Sequence, residues 1–214
     1  MLRRTAMETP STSFKLATLK NGPKAMESLS TYLKLSTLKN GRKLQIRPLN
    51  NNDQERLEEF LQWTPHEVLQ FCQQDMRNWE VVKSWLDPTN GYRVISLVAI
   101  ELDTKQFIGH ILLAMGQHTA VKIGEIQQIL VAQTLQGLGL GAQLLDSLIH
   151  LATKENLHWL KVEVVTDLKH VIKVFESRGF RTRAILEDYF TDKKGKMYDV
   201  ALMLCPLVEQ KVDF

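Results

Sequence analysis

Between Ile126 and Leu145 the chain reads IQQILVAQTLQGLGLGAQLL, with glycines at the alternate positions 137, 139 and 141. An apolar run enters this segment and a leucine-rich stretch leaves it, so the glycines fall where a helix begins. The first N–H groups of a helix have no intrahelical acceptor and lie at the positive end of its dipole, and a loop without side chains there can wrap a phosphate. Glycine permits the close approach and the positive φ values that such a loop needs. Gln136, Gly137, Leu138, Gly139, Leu140, Gly141 and Ala142 therefore form a candidate pyrophosphate cradle. By letter the segment also fits the dinucleotide fingerprint G-x-G-x-x-A through Gly137, Gly139 and Ala142. That fingerprint follows the first strand of its fold, whereas several strands and helices precede this one. A tight structural turn would use the same glycines, so the neighbouring elements decide the reading.

Those elements can be followed along the chain. Leu44–Leu49, LQIRPL, reads as a strand stopped by Pro48, and Asn50–Trp63 as a helix with Asp53 in its first turn. From Pro65 to Leu86 the apolar spacing is helical and predicts two short helices broken near Asn78, closed by the turn DPTNG. Strands are predicted at Tyr92–Leu102, Phe107–Met115 and Lys122–Val131, then a helix over Leu138–Glu155 with Leu138, Leu144, Leu145, Leu148 and Ala152 on its apolar side. Strand Trp159–Val165, helix Asp167–Arg178, strand Phe180–Phe190 and strand Met197–Leu204 complete the order. Strand–helix–strand crossovers in the second half alone describe an α/β sheet of mixed direction.

The chain has 214 residues, 44% hydrophobic and 24% charged, enough to bury a substantial core in one domain. Its formal charge of +3 is small and its Lys and Arg form no long basic block, so composition gives no reason to expect a nucleic-acid partner. Cys72 and Cys205 have no CxxC or Cys/His spacing, which suits a reducing compartment and offers no metal site. No apolar stretch approaches the roughly 20 residues that span a bilayer, and residues 1–30 lack the apolar core of a secretory signal. The basic, hydroxyl-rich start is shared by transit peptides and untargeted tails, and a cytoplasmic protein is the expectation.

Residues 11–24, STSFKLATLKNGPK, recur as residues 30–43, STYLKLSTLKNGRK. Two copies are too few for a solenoid. The reading is a flexible arm over residues 1–28, a second copy at 29–43 leading into the domain through the Asn40-Gly41 turn, and a globular domain over 44–214. The copies place Lys15, Lys20, Lys34 and Lys39 at matched positions, which would suit a modification target or an inhibitory arm.

The sequence resembles the GNAT superfamily of acyl-CoA-dependent N-acetyltransferases in three separated motifs spanning roughly residues 44–206. ILVAQTLQGLGLGAQLL matches the family's hydrophobic strand followed by Arg/Gln-x-x-Gly-x-Gly/Ala, here Gln136, Gly139 and Gly141. VFESRGF at 174–180 looks like its aromatic–acid helix end, and LEDYFTDKKGKMYDVALML like its closing hairpin. The resemblance implies the GNAT fold, a mixed central β-sheet of about six to seven strands, with parallel strands four and five splayed apart and helices on both sides. It implies acetyl-CoA as co-substrate without a metal, and an amine acceptor held between the helical region 50–86 and the hairpin 180–204. Ile129, Leu130 and Val131 would meet the pantetheine arm, Gln136 through Ala142 the pyrophosphate, and Phe175 the cofactor's arm. Oligomeric state is left open.

Acetyl transfer to an amine needs a neutral nucleophile, and a lysine amine with a pKa of about 10.4 is nearly all ammonium at neutral pH. Carboxylates near the slot are therefore the first candidates for a base. Strand alternation places Glu125 on one face with Gln127, Ile129 and Val131, and the resemblance puts it where some protein-lysine acetyltransferases carry a general base. Glu163, on a face with Lys161 and Trp159, matches the glutamate of ribosomal-protein N-terminal acetyltransferases; an ion pair with Lys161 is the competing role. Where many members have a tyrosine acid, this chain has Phe175, and where the preceding helix usually opens with asparagine it has Leu168. Tyr189 is the nearest alternative acid, with Tyr198 behind it. Glu187 and Asp188 could attract a cationic acceptor. His110 reads as a satisfied core histidine, the cysteines as small buried hydrophobes, and Trp63, Trp79 and Trp85 with Phe60 and Phe71 as core packing on the acceptor side. The expectation is direct transfer in a ternary complex, with a non-catalytic acyl-CoA-binding regulatory module as the alternative that Phe175 and Leu168 favour.

Overall fold

The computed structural model describes residues 32–69, 78–86, 93–115, 122–192 and 194–208. The first copy of the duplication, Cys72, the DPTNG turn and the middle of the segment between Pro65 and Leu86 lie outside the described residues. Strands β1 (Lys34–Thr37) and β2 (Lys43–Pro48) form a hairpin around the Asn40-Gly41 turn, so the second copy of the duplication enters the sheet. A 3₁₀ turn at Asn51–Asp53 follows, closed by a reciprocal cap in which Asn50 Oδ1 accepts from Asn52 N and Asp53 Oδ2 from Asn50 N. Helices α1 (Gln54–Trp63), α2 (His66–Leu69) and α3 (Trp79–Leu86) lead to three antiparallel strands, β3 (Arg93–Glu101), β4 (Phe107–Met115) and β5 (Ile123–Val131). Helix α4 (Leu140–Lys154), β6 (Trp159–Val165), α5 (Lys169–Glu176), β7 (Arg181–Thr191) and β8 (Met197–Pro206) complete the domain.

The described strands form one eight-stranded sheet in the order β1-β2-β3-β4-β5-β6-β8-β7. The mixed direction is as expected; the strand number exceeds six to seven because the β1–β2 hairpin adds one at the start. For the same reason the parallel pair is formed by the fifth and sixth strands. Alternation along the strands divides the core between two faces. On one, Leu140, Leu144, Leu145, Leu148 and Leu151 of α4 pack on Ile46, Leu97, Ile111, Leu113, Ile126 and Val162. On the other, Leu57, Phe60 and Leu61 of α1 and Val82 of α3 cover Val98, Ile100, Leu112 and Leu130. Gly109 lets α4 come close, since a β-carbon there would stand 3.0 Å from Leu144 Cδ1 and 3.1 Å from Leu130 O. Trp63 departs from its expected place in the core: it ends α1 and is 81% exposed. No helix among the described residues is long and apolar enough to cross a membrane.

Candidate active site

The parallel ladder between β5 and β6 joins Ile123–Ile126 to Trp159–Val162 and then stops, although both strands continue. β6 stays with β8 as far as Val165, and β5 stays with β4 as far as Val131. The gap between them opens a cleft of about 1200 Å³. Apart from Tyr198, the residues expected to bind cofactor or to catalyse lie on its wall: Glu125, Ile129, Leu130, Val131, Gln136 through Ala142, Glu163, Phe175 and Tyr189.

At the mouth of this splay the β4–β5 register slips. Leu113 opposes Ile126 and Leu112 opposes Gln128, so Gln127 is an extra residue with no partner on β4, a β-bulge. Beyond the bulge the strand's faces are exchanged. Gly124 and Ile126 face α4, but so do Ile129 and Val131, whose side chains approach Gly141. Glu125 instead shares the opposite face with Gln128 and Leu130. The expected grouping of Glu125 with Ile129 and Val131 is thus corrected, because strict alternation does not survive an inserted residue.

One end of the cleft is built by the glycines. Gly137 and Gly139 take φ of +76° and +92°, values that side-chain-bearing residues rarely adopt. Gly139 is the residue before α4, in a left-handed conformation and without a side-chain cap. The helix therefore starts at Leu140 rather than at Leu138, whose side chain packs against the core from the preceding turn. Among the described residues the N–H groups of Gly137, Gly139, Leu140, Gly141 and Ala142 donate to no protein acceptor. A β-carbon on Gly137 would meet no atom within 4 Å, so the loop borders open space. This donor set fits the phosphates of a CoA: several free amides, a helix dipole and no side chain in the way.

The opposite end carries charge. Lys161, paired with Glu125 across the parallel ladder, places Nζ 3.1 Å from Glu125 Oε1 and 3.2 Å from Glu163 Oε1. Partial burial would lower the lysine's pKa, but hydrogen bonds and charge from Glu125 and then Glu163 outweigh it and raise the value. Lys161 is thus a firmly held ammonium, and this face carries two carboxylates against one cation. The ion pair foreseen for Glu163 is present and includes Glu125 as well. Glu187 and Asp188 line no part of the cleft; its acidity comes from Glu125 and Glu163.

Beneath this face His110 is fully buried, with Nε2 2.8 Å from Ser96 Oγ and Nδ1 3.0 Å from Gln128 Nε2. With the Gln128 amide donating to Nδ1, the proton resides on Nε2 and goes to Ser96. Burial pushes the histidine pKa down to about 3, so the ring is neutral and holds the side chain of Gln128, which lines the cleft. The core role expected for His110 thus includes a link to the cleft wall that sequence reasoning missed; its signal was a histidine flanked by apolar residues in a strand. Phe175 is 1% exposed and packs edge-on against Phe180 with centroids 5.0 Å apart. Leu168 precedes α5 without providing a side-chain cap. Tyr189 stands at the rim, 59% exposed, beside an irregular stretch of β7 where Asp188 takes φ of +50°. Tyr198 donates its hydroxyl to Asp192 Oδ2 at 3.1 Å, away from the cleft. Cys205 is buried, which raises its thiol pKa and leaves it inert. No group of three or more His, Cys, Asp or Glu able to hold a metal occurs among the described residues.

Comparison with known proteins agrees with this geometry. Residues 54–180 match the family described as acetyltransferase (GNAT) family, and no curated protein matches the chain. The fold is similar to that of a GNAT-family acetyltransferase from Streptococcus pneumoniae, at 23% identity and TM-score 0.64 over 76% of this chain and 99% of that one. It is also similar to the ribosomal-protein-S18-alanine N-acetyltransferase of Escherichia coli, at 18% identity and TM-score 0.58 over 80% and 98% of the two chains. Mycobacterium smegmatis RimJ, solved in complex with CoA-disulfide, aligns at 20% identity and TM-score 0.66 over 81% of this chain and 86% of its own. At these identities the structures share a fold, while the family match covers more than half of the sequence. The chain belongs to the GNAT acetyltransferase family.

Proposed function

We propose that the protein transfers an acetyl group from acetyl-CoA directly to a primary amine, a protein lysine or N-terminus or a small amine, in a ternary complex. The observation that carries this reading is the row of five free N–H groups at the start of α4, on the wall of the same cleft as Glu125 and Glu163. Gln136 through Ala142 would hold the pyrophosphate, and Ile129, Leu130 and Val131 would border the pantetheine arm. Acetyl-CoA supplies the activated acyl group as a thioester.

The protein's own task is to deliver an uncharged amine. An ammonium entering beside Glu125 and Glu163 meets net negative charge, because Lys161 offsets only one of the two carboxylates. Either carboxylate can take the ammonium's proton on an Oε atom, leaving a lone pair on nitrogen. Gln128, fixed by His110, borders the same face. Tyr189 at the rim would return a proton to the departing thiolate. The buried Phe175 and the uncapped start of α5 at Leu168 favour a second reading, a non-catalytic acyl-CoA sensor.

Both are tested by following free CoA released from acetyl-CoA against a panel of polyamines, lysine peptides and peptides with free N-termini. Turnover that falls by roughly 10²–10⁴-fold in Glu125→Gln or Glu163→Gln supports the enzyme and identifies its base. Stabilisation of the fold by acetyl-CoA without release of CoA on any acceptor supports the sensor. Absence of both overturns the acyl-CoA reading.

A further inference from the structure

The β1–β2 turn precedes the segment matched by the family, yet it is docked on the phosphate loop. Lys39 N donates to Leu138 O at 3.3 Å, and Gln143 in the first turn of α4 donates from Nε2 to Thr37 O at 3.1 Å. Thr37, Leu38 and Lys39 line the same cleft as the glycines. The turn is itself held in place: Leu38 is buried, Asn40 Oδ1 accepts from Arg42 N, and Arg42 grips the buried Glu101 through two guanidinium nitrogens. From this fixed base the Lys39 side chain runs beside Gly139, with Cε 3.9 Å from the place that a β-carbon on that glycine would take.

The loop from Gln133 to Gln143 contains no Lys or Arg, so by itself it offers a phosphate only amide dipoles. Among the described residues three Lys or Arg side chains line the cleft, Lys39, Lys161 and Arg178. Lys161 is held by Glu125 and Glu163, and Arg178 by Asp146 at 3.1 Å. Lys39 pairs with no carboxylate among the described residues. The cation beside Gly139 is therefore also the one left uncompensated.

We propose that Lys39 is a phosphate-binding residue of the acyl-CoA site, contributed by the N-terminal hairpin and supplying the cation that the glycine loop lacks. This inference rests on the acyl-CoA reading of the cleft. An ammonium and a set of backbone amides are complementary: the amides fix the phosphate oxygens, and the lysine meets their full charge. CoA presents that chemistry twice, in its pyrophosphate and in its 3′-phosphate, and the two sources are separable.

The experiment is equilibrium binding of CoA and of 3′-dephospho-CoA to the wild type, Lys39→Gln and Lys39→Arg, with unfolding temperatures recorded without ligand. Lys39 is exposed, so the unliganded variants should unfold with the wild type. Loss of one charge-assisted hydrogen bond should raise the Kd for CoA about tenfold in Lys39→Gln, with recovery in Lys39→Arg. If wild type and Lys39→Gln bind dephospho-CoA equally, Lys39 holds the 3′-phosphate; if the tenfold difference persists, it holds the pyrophosphate. A wild type that binds CoA no better than Lys39→Gln overturns this inference and leaves the acyl-CoA reading standing. A wild type that binds neither ligand overturns both.

Discussion

Acid should loosen this protein through His110 in a way that one substitution isolates. The ring has no exposed surface, and its folded pKa of about 3 lies well below the ordinary value of 6.5. The folded state therefore binds fewer protons than the unfolded chain, and protonation favours unfolding. The contribution is complete above the unfolded pKa, begins to fail as pH drops below it, and is exhausted near the folded value. At about 1.4 kcal/mol for each tenfold change in proton affinity, the loss reaches ~2 kcal/mol at pH 5 and approaches ~5 kcal/mol near pH 3. Urea unfolding of the wild type and of His110→Gln at about pH 8 and pH 5 measures it, since glutamine can bond Ser96 and Gln128 but does not titrate. The wild type should lose ~2 kcal/mol more than the variant over that interval, with equal m-values, because carboxylate contributions are common to both. Parallel losses in the two proteins, or a folded-state NMR titration of His110 centred near 6.5, would refute the reasoning. The cleft is implicated too, because a proton on Nδ1 removes the acceptor that holds Gln128.

Three further outcomes follow from the site. Lys161→Met takes away the ammonium shared by Glu125 and Glu163, so this face grows more negative and the KM for a cationic acceptor should fall; an unchanged KM means that the amine does not bind there. Gly139→Ala puts a side chain at φ of +92° while its β-carbon meets Lys39 Cε without a clash, at 3.9 Å, so unfolding measurements should show a backbone strain cost of about 1–3 kcal/mol, with weaker acetyl-CoA binding. Phe175→Ala removes a fully buried ring from its contact with Phe180 and should cost roughly 3–5 kcal/mol in urea unfolding, against a negligible change if Phe175 merely lines an open surface.

Local patterns carried much of the architecture. Phe107–Met115 and Trp159–Val165 begin and end where the sequence places them, because apolar runs bounded by turn residues have few alternatives. The start of α4 was displaced by two residues, since helical periodicity extends through Leu138 but the backbone cannot be helical at a glycine with φ of +92°. The glycine loop was legible because its pattern is local: alternate glycines before a leucine-rich helix. Lys161 bridging Glu125 and Glu163 was only half legible. Glu163 is two residues away on the same strand, whereas Glu125 arrives through the parallel register of another strand. Lys39 was noticed as a repeated lysine and not as a neighbour of Gly139, since that contact spans a hundred residues of chain. The face exchange in β5 was invisible for a similar reason, as a bulge is a relation between two strands and leaves no mark on one.

That single unpaired residue has a consequence for how the strand can vary. Gln127 changes the parity of β5: ahead of it even-numbered residues look toward α4, and after it odd-numbered ones do. The strand is in effect two rulers laid end to end, one graduated up to the bulge and one beyond it. Deleting Gln127 would leave every other side chain on its present face, whereas straightening the strand with Gln127 retained would turn Gln128 and Leu130 toward α4 and carry Ile129 and Val131 round to the side of Glu125. Two chains of equal length that align letter by letter here, one bulged and one straight, would present opposite surfaces to the cleft.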